Sequence, residues 1–334
     1  MKVSFIIPLY NCLPLTQAML ASLQATLPAG LMHEIIFVDD GSTDGTRPWL
    51  AKLPAPCRTV LNEINLGFAG ACNRGAAAAT GEFLFFLNND LVLLPRWLEP
   101  MLAAFTSQAD AGLVGNVQLS VATGAVDHTG IYFNFQGKPA HDTVLPLPAR
   151  WLGWPAVRAV DAITGACFGL RTMLWRQLGG FDEGYRNGGE DVDLCLRAHA
   201  ARYQTYVAWR SVVRHHISAS RDRKLRDEEN SYRLMKRWHQ TIESRIVRQC
   251  SDAYLRVAWE DPRDYPDAAL AQEAFFYSAR MLPWPSDRLR AVARASINLE
   301  MSRWAHLIDG AHPLPPQSVA WQLFPGTRVN LPVL

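Results

Sequence analysis

The stretch Phe83-Leu84-Phe85-Phe86-Leu87-Asn88-Asn89-Asp90 is an unbroken apolar run that stops on two amides and a carboxylate. Five aromatic and aliphatic residues in a row are too few for a helix of their own. They read as a strand covered on both faces, the pattern of a parallel sheet enclosed by helices. The strand delivers polar groups to its carboxyl end, and that edge is where open α/β sheets take ligands. Asp90 and the Asn88 carbonyl offer oxygen donors of the kind a hard cation such as Mg²⁺ or Mn²⁺ prefers. Asn88-Asn89-Asp90 also reads as a plain polar turn, since Asn and Asp are favoured where strands end.

Upstream of this stretch the chain alternates strand and helix. Apolar runs at 3–7, 34–38 and 58–61 each precede a helical pattern, at 15–27, 45–53 and 69–79. Downstream, Pro95 suits the first turn of a helix reaching about residue 107. The alternation predicts a parallel, doubly wound α/β sheet with right-handed crossovers. Past a strand at 112–117 the pattern loosens, and 123–154, rich in Gly, Pro, His and aromatics, reads as the rim of a second half. Regular structure returns at 160–170 and in a helix through residue 178. Glu190-Asp191 opens a further helix, a strand follows near 205–208, and a loop carries His215 and His216. From about residue 225 the chain turns to long charged helices bearing Trp and Arg. The expected division is a core of residues 1–240, itself halved at 117/118, and a helical extension over 241–334.

With 334 residues, 49% of them hydrophobic, the chain can bury a substantial core. A formal net charge of +2 sets up no broad field that would draw the whole molecule to nucleic acid, so none is expected as a partner. The six cysteines are scattered with no C-x-x-C pair, a pattern that fits reduced thiols in a cytoplasmic protein. The strand-like opening at 2–7 does not have the form of a signal peptide, and no stretch approaches the roughly 20 apolar residues of a membrane span. Membrane contact, if made, is expected to be peripheral, on the inner face of the cell membrane. No G-x-G-x-x-G follows the first strand, where Pro8-Leu9-Tyr10 stands instead, which argues against a dinucleotide-binding oxidoreductase. A sugar-phosphate nucleotidyltransferase would need a glycine-rich, basic first loop, and none is present there.

Six stretches in order make a resemblance. They are Ile6-Ile7-Pro8-Leu9-Tyr10-Asn11, Val38-Asp39-Asp40-Gly41-Ser42-Thr43-Asp44, the run from Asn65-Leu66-Gly67-Phe68 through Asn73-Arg74-Gly75, Phe86-Leu87-Asn88-Asn89-Asp90, Gly179-Gly180-Phe181-Asp182-Glu183, and Gly189-Glu190-Asp191-Val192-Asp193 with Leu194-Cys195-Leu196-Arg197. Residues 3 to about 240 resemble a family 2 glycosyltransferase of GT-A fold, in the branch of bacterial rhamnosyl- and galactofuranosyltransferases. The tail beyond is not covered.

The resemblance implies an inverting transfer from a UDP- or dTDP-sugar to a hydroxyl of a surface glycan or lipid-linked glycan. It implies that Asp40, with Asp39 second, contacts the pyrimidine, and that Pro8, Tyr10, Asn11, Asn65, Gly67, Asn73, Asn88 and Asn89 build the donor site. Asp90 and His215, with His216 as the fallback, are the implied metal ligands. The family pattern has an acid where this chain has Asn88. Asp191 is the implied base, with Glu190 beside it to orient acceptor or base. Asp39 and Asp40 also read as a strand end capping a helix, and Glu190-Asp191 as a capping acid pair. Gly165 and Trp154 are assigned to the acceptor side, where Trp151, Trp154 and Tyr132 either stack on sugar rings or pack the rim. A nucleotide-sugar-binding scaffold that has lost turnover is the alternative, supported by Asn88 and the uncovered tail.

Overall fold

The two faces of β4 (Phe83–Leu87) explain its composition. Phe83, Phe85 and Leu87 join a core with Val3, Phe5, Ile7, Ile35 and Phe37, closed by Trp97 and Met101. On the opposite face, Phe86 stacks on Phe168 with ring centres 4.9 Å apart and meets Trp175 at 4.6 Å. A strand sealed on both sides has no polar position to spare, which is why the apolar run is continuous.

The computed structural model describes residues 1–144, 156–216, 226–260 and 267–310. The described residues form two compact units, one of Met1–Tyr132 with His141–Asp227, the other of Phe133–Ala140 with the chain from Glu228 onward.

The first unit holds a ten-stranded sheet, eight of whose strands lie in the order β10-β12-β6-β11-β4-β1-β2-β3, with β5 paired to β12 and β7 to β6. The strands are β1 (Lys2–Leu9), β2 (Met32–Asp39), β3 (Cys57–Leu61), β4, β5 (Leu91–Leu93), β6 (Ala111–Ser120), β7 (Val126–His128), β10 (Val157–Val160), β11 (Cys167–Arg171) and β12 (Gln204–His215). Strands β8 (Ile131–Phe133) and β9 (Pro139–His141) pair apart from it. Helices α1 (Leu13–Thr26), α2 (Thr46–Leu50), α3 (Gly67–Ala78), α4 (Leu98–Ser107), α5 (Thr172–Leu178) and α6 (Glu190–Ala200) belong to the same unit.

The parallel part is as expected, with β3, β2, β1 and β4 in parallel register. The rest of the sheet departs from the parallel pattern that the alternation predicts. Strand β11 runs antiparallel between β4 and β6, and β5, β7 and β10 are antiparallel to their partners. The run 160–170 is therefore two strands, with a loop at 161–166 between them. The strand expected at 205–208 continues to His215, so His215 ends a strand rather than sitting in a loop.

The second unit takes in α7 (Asp227–Arg245) from Glu228 on and continues through α8 (Val247–Glu260), α9 (Ala268–Ser278) and α10 (Asp287–Trp304). It starts ahead of the expected 240/241 boundary because the inner face of α7, with Leu234, Met235 and Ile242 buried, is part of the helical core. The hairpin tip belongs here too. Gly137 has a φ of +77°, and the Met235 methyl packs against it where a Cβ would stand. Glu228 gathers the Lys138 ammonium at 2.7 Å, the Arg303 guanidinium at 2.7 Å and the Trp304 indole N–H. Burial alone would raise the Glu228 pKa, but those donors outweigh it and hold the carboxyl at about 2. No helix among the described residues is long and apolar enough to cross a membrane.

Candidate functional site

The carboxyl ends of β1, β2 and β4 and the start of α6 surround a cleft of about 250 Å³. Pro8, Tyr10, Asp40, Asn65, Gly67, Asn88, Asn89, Asp90, Gly165, Glu190, Asp191 and His215 all line it. The three carboxylates at 40, 90 and 191, distant in the chain, thus face one space.

Asp40, only 4% exposed, is an internal organiser. Its Oδ1 accepts from Asn62 Nδ2 at 2.8 Å and Leu66 N at 2.9 Å, and its Oδ2 from Gly67 N at 2.8 Å. Those bonds hold the turn into α3, where Gly67 sits at a φ of +78°. A carboxylate has about four lone-pair directions, so one remains for a ligand.

Asp90 and His215 are brought together by strand pairing. His215 lies opposite Leu91 where β5 and β12 run antiparallel, and His216 N donates to Asp90 O at 3.2 Å. Asp90 Oδ1 is buried, makes no hydrogen bond, and stands 3.2 Å from His215 Nε2. These are two side-chain atoms in the cleft placed closely enough to be shared by a cation. Among the described residues no third His, Cys, Asp or Glu joins them.

Asp191 opens α6, preceded by Gly189 at a φ of +90°. Its Oδ2 accepts from Gly165 N at 2.7 Å and its Oδ1 from Val192 N at 2.8 Å. Glu190, 4% exposed, accepts from Gly188 N at 2.7 Å.

Three expected donor-site residues do not line the cleft. Asp39 is fully buried, and its carboxylate takes Arg47 Nε at 2.6 Å and Ser42 N at 3.3 Å. Asn11 Oδ1 accepts from Thr43 N at 2.8 Å, bracing the loop after β1 against the loop after β2. Asn73 binds Phe181 through N–H at 2.9 Å and carbonyl at 3.0 Å, and reaches Glu183 at 2.8 Å. These side chains shape the walls from behind. Trp154, with Trp151, lies outside the described residues. Tyr132 is on β8 and not in the cleft lining.

Asn187 is a lining residue that sequence analysis did not select. It holds a φ of +54°, and its Oδ1 accepts from Phe68 N at 3.2 Å. The Asn-Gly pair 187–188, a strong turn signal just before the acidic helix, is the trace it leaves in the sequence. Cys12, at a φ of +59°, and Phe68 complete the mouth.

Residues 4–143, which carry β1 to β4 and the strand end at Asp90, match the family described as glycosyl transferase family 2. They form a glycosyl transferase family 2 domain. The chain resembles the O-antigen biosynthesis protein RfbC of Myxococcus xanthus at 30% identity over 231 residues, covering 66% of the chain and 18% of that protein. The chain spans 30%, 18% and 51% of the length of three curated relatives it matches. Its fold is shared with GalNAc-T7, solved with UDP, GalNAc and Mn²⁺, at a TM-score of 0.60 and 16% identity over 95% of this chain and 59% of that one. It is shared too with TarS of S. aureus, at a TM-score of 0.55 and 16% identity over 93% of each chain. The fold is therefore the expected α/β GT-A glycosyltransferase fold, with a helical C-terminal part.

Proposed function

We propose that the chain transfers a sugar from a UDP- or dTDP-sugar to a hydroxyl of a surface polysaccharide or lipid-linked glycan, with inversion at the anomeric carbon. The observation that carries this is the single cleft shared by Asp40, Asp90 and Asp191. Asp40 offers its remaining lone pair to a pyrimidine N3–H. Tyr10, 51% exposed at the mouth, is available to stack on the base. Gly67 lets the backbone approach the nucleotide without a side chain. Asp90 and His215 would hold a divalent cation, the remaining ligands coming from the donor diphosphate and water. When bound, that cation supplies Lewis-acid neutralisation of the leaving diphosphate.

Asp191 accepts the proton of the attacking hydroxyl, which raises the nucleophilicity of the oxygen as its bond to the anomeric carbon forms. The Gly165 N–H fixes one carboxylate oxygen, and Glu190 is positioned beside it to orient the acceptor. Asn187 and Phe68 narrow the entrance and exclude water from the donor side. Peripheral contact with the inner membrane face suits a lipid-linked acceptor. Asn88, in place of a second acid, favours an alternative, a binding scaffold without turnover. Measuring UDP release from candidate nucleotide sugars with and without Mn²⁺ separates the two. Nucleotide binding with no release or transfer under any cation would overturn the enzyme proposal.

A further inference from the structure

The loop joining α9 to α10 is built unlike an ordinary helix connection. Six consecutive residues, Ala279-Arg280-Met281-Leu282-Pro283-Trp284, are exposed. Met281 is 65% exposed, Trp284 78%, and Phe275, just before the end of α9, 54%. Helix connections normally present Gly, Asn, Asp and Ser to water. Single exposed apolar residues are ordinary, but a contiguous group of this size marks a contact surface.

The loop is also held out rather than left loose. Met281 N and Leu282 N both donate to Phe276 O, at 2.9 Å and 3.3 Å, and Arg280 N donates to Tyr277 O at 3.1 Å. Arg248 donates to the carbonyls of Tyr277 and Ser278, and its guanidinium lies over the Tyr277 ring. Pro283 and Pro285 fix φ on either side of Trp284, so little further ordering is needed to present the indole. Beyond the loop, Ser286 Oγ caps α10 through Leu289 N at 3.3 Å.

We infer that this loop is a docking surface for an anionic lipid bilayer, with Met281, Leu282 and Trp284 entering the interface and Arg280 meeting the headgroups. Trp is the side chain best suited to that boundary, with an apolar ring and one polar N–H. Charge agrees in sign. Residues 274–286 carry a single charged side chain, Arg280, which has no acidic partner among the described residues, while the flanking Glu273 pairs with Arg288 and Asp287 with Arg290. Met281, Leu282 and Trp284 on one short loop fall short of the roughly 800 Å² per partner that a specific dimer needs. The purpose of the docking rests on the lipid-linked acceptor proposed above, but the binding itself does not.

The test is co-sedimentation of the full chain with phosphatidylcholine vesicles, with and without phosphatidylglycerol. The expected result is pelleting with the anionic vesicles that weakens as salt is raised. Trp284→Ala with Met281→Ser should lower that affinity about tenfold or more. Arg280→Glu should remove the preference for anionic lipid. All three positions are exposed, so unchanged melting temperatures are expected. UDP binding, followed in the same samples, should not change. Wild-type protein that binds UDP yet ignores both vesicles overturns the inference, as do variants that pellet like wild type or that turn a dimer into a monomer. Loss of UDP binding in the wild type, with vesicle binding intact, would count against the proposed donor site instead.

Discussion

The backbone N–H of Gly165 donates to Asp191 Oδ2 at 2.7 Å, tying the loop between β10 and β11 to the first turn of α6. One carboxylate oxygen is thereby fixed, while the other accepts from Val192 N at the helix start. The orientation of Asp191 is set before any ligand arrives. A Cβ at position 165 would stand 3.1 Å from the Phe68 ring and 3.5 Å from Asp191 Cβ, so a side chain there would crowd Phe68 while only touching Asp191.

Asp191→Asn should cut sugar transfer by about 10² to 10⁴, the usual worth of a positioned base, while UDP affinity stays within about twofold. Transfer assays beside calorimetric titration with UDP check this. A variant as active as wild type would remove Asp191 from the proposed mechanism.

Asp90→Ala and His215→Ala should each weaken the extra thermal stabilisation that Mn²⁺ gives in the presence of UDP, because a ligand bound only by the folded chain raises its melting temperature. The comparison with UDP alone isolates the cation. If both variants keep the full Mn²⁺ increment, the cation sits elsewhere.

Glu34 ties three elements of the sheet together, accepting from Ser4 Oγ at 2.6 Å, Thr80 N at 2.8 Å and Arg58 at 2.7 Å. Burial would raise its pKa, but these bonds outweigh it and lower the carboxyl from 4.5 to about 2. A depressed carboxyl contributes stability that is complete above the unfolded value and lost as pH falls from about 4.5 through about 2. The contribution is on the order of 3 kcal/mol. Glu34→Gln should lower the melting temperature at neutral pH and flatten its fall across that window. An identical acid profile in the variant would contradict this.

Gly180 holds a φ of +73°, and a Cβ there would lie 2.6 Å from Asn73 Oδ1. Gly180→Ala should destabilise the first unit by roughly 1–3 kcal/mol through backbone strain and the lost bonds from Asn73 to Phe181. Denaturant unfolding measures it. A change under about 0.5 kcal/mol, the scale of a neutral surface substitution, would show that the loop relaxes freely.

The apolar runs of β1, β2 and β4, the helices between them and the strand-end acids were all legible in the sequence, because burial and local turn chemistry write themselves into residue type. Asp39 and Asp40 show where that stops. They are adjacent and chemically identical, yet Asp39 is locked by Arg47 while Asp40 faces the cleft. Asn73 sits in a matching motif, but its partners are more than a hundred residues away. Strand direction was equally hidden, since the apolar pattern of β11 is the same whether it runs parallel or antiparallel to β4.

The sequence by itself determined that an α/β sheet would end in carboxylates at 40 and 90 and that an acidic helix would begin near 191, since each follows from contacts within a few residues. Only the tertiary structure decided that β12 runs on to set His215 beside Asp90 and that Gly165 reaches Asp191. Those pairings depend on strand order and register, which arise from packing between segments far apart in the chain and leave no local mark in residue order.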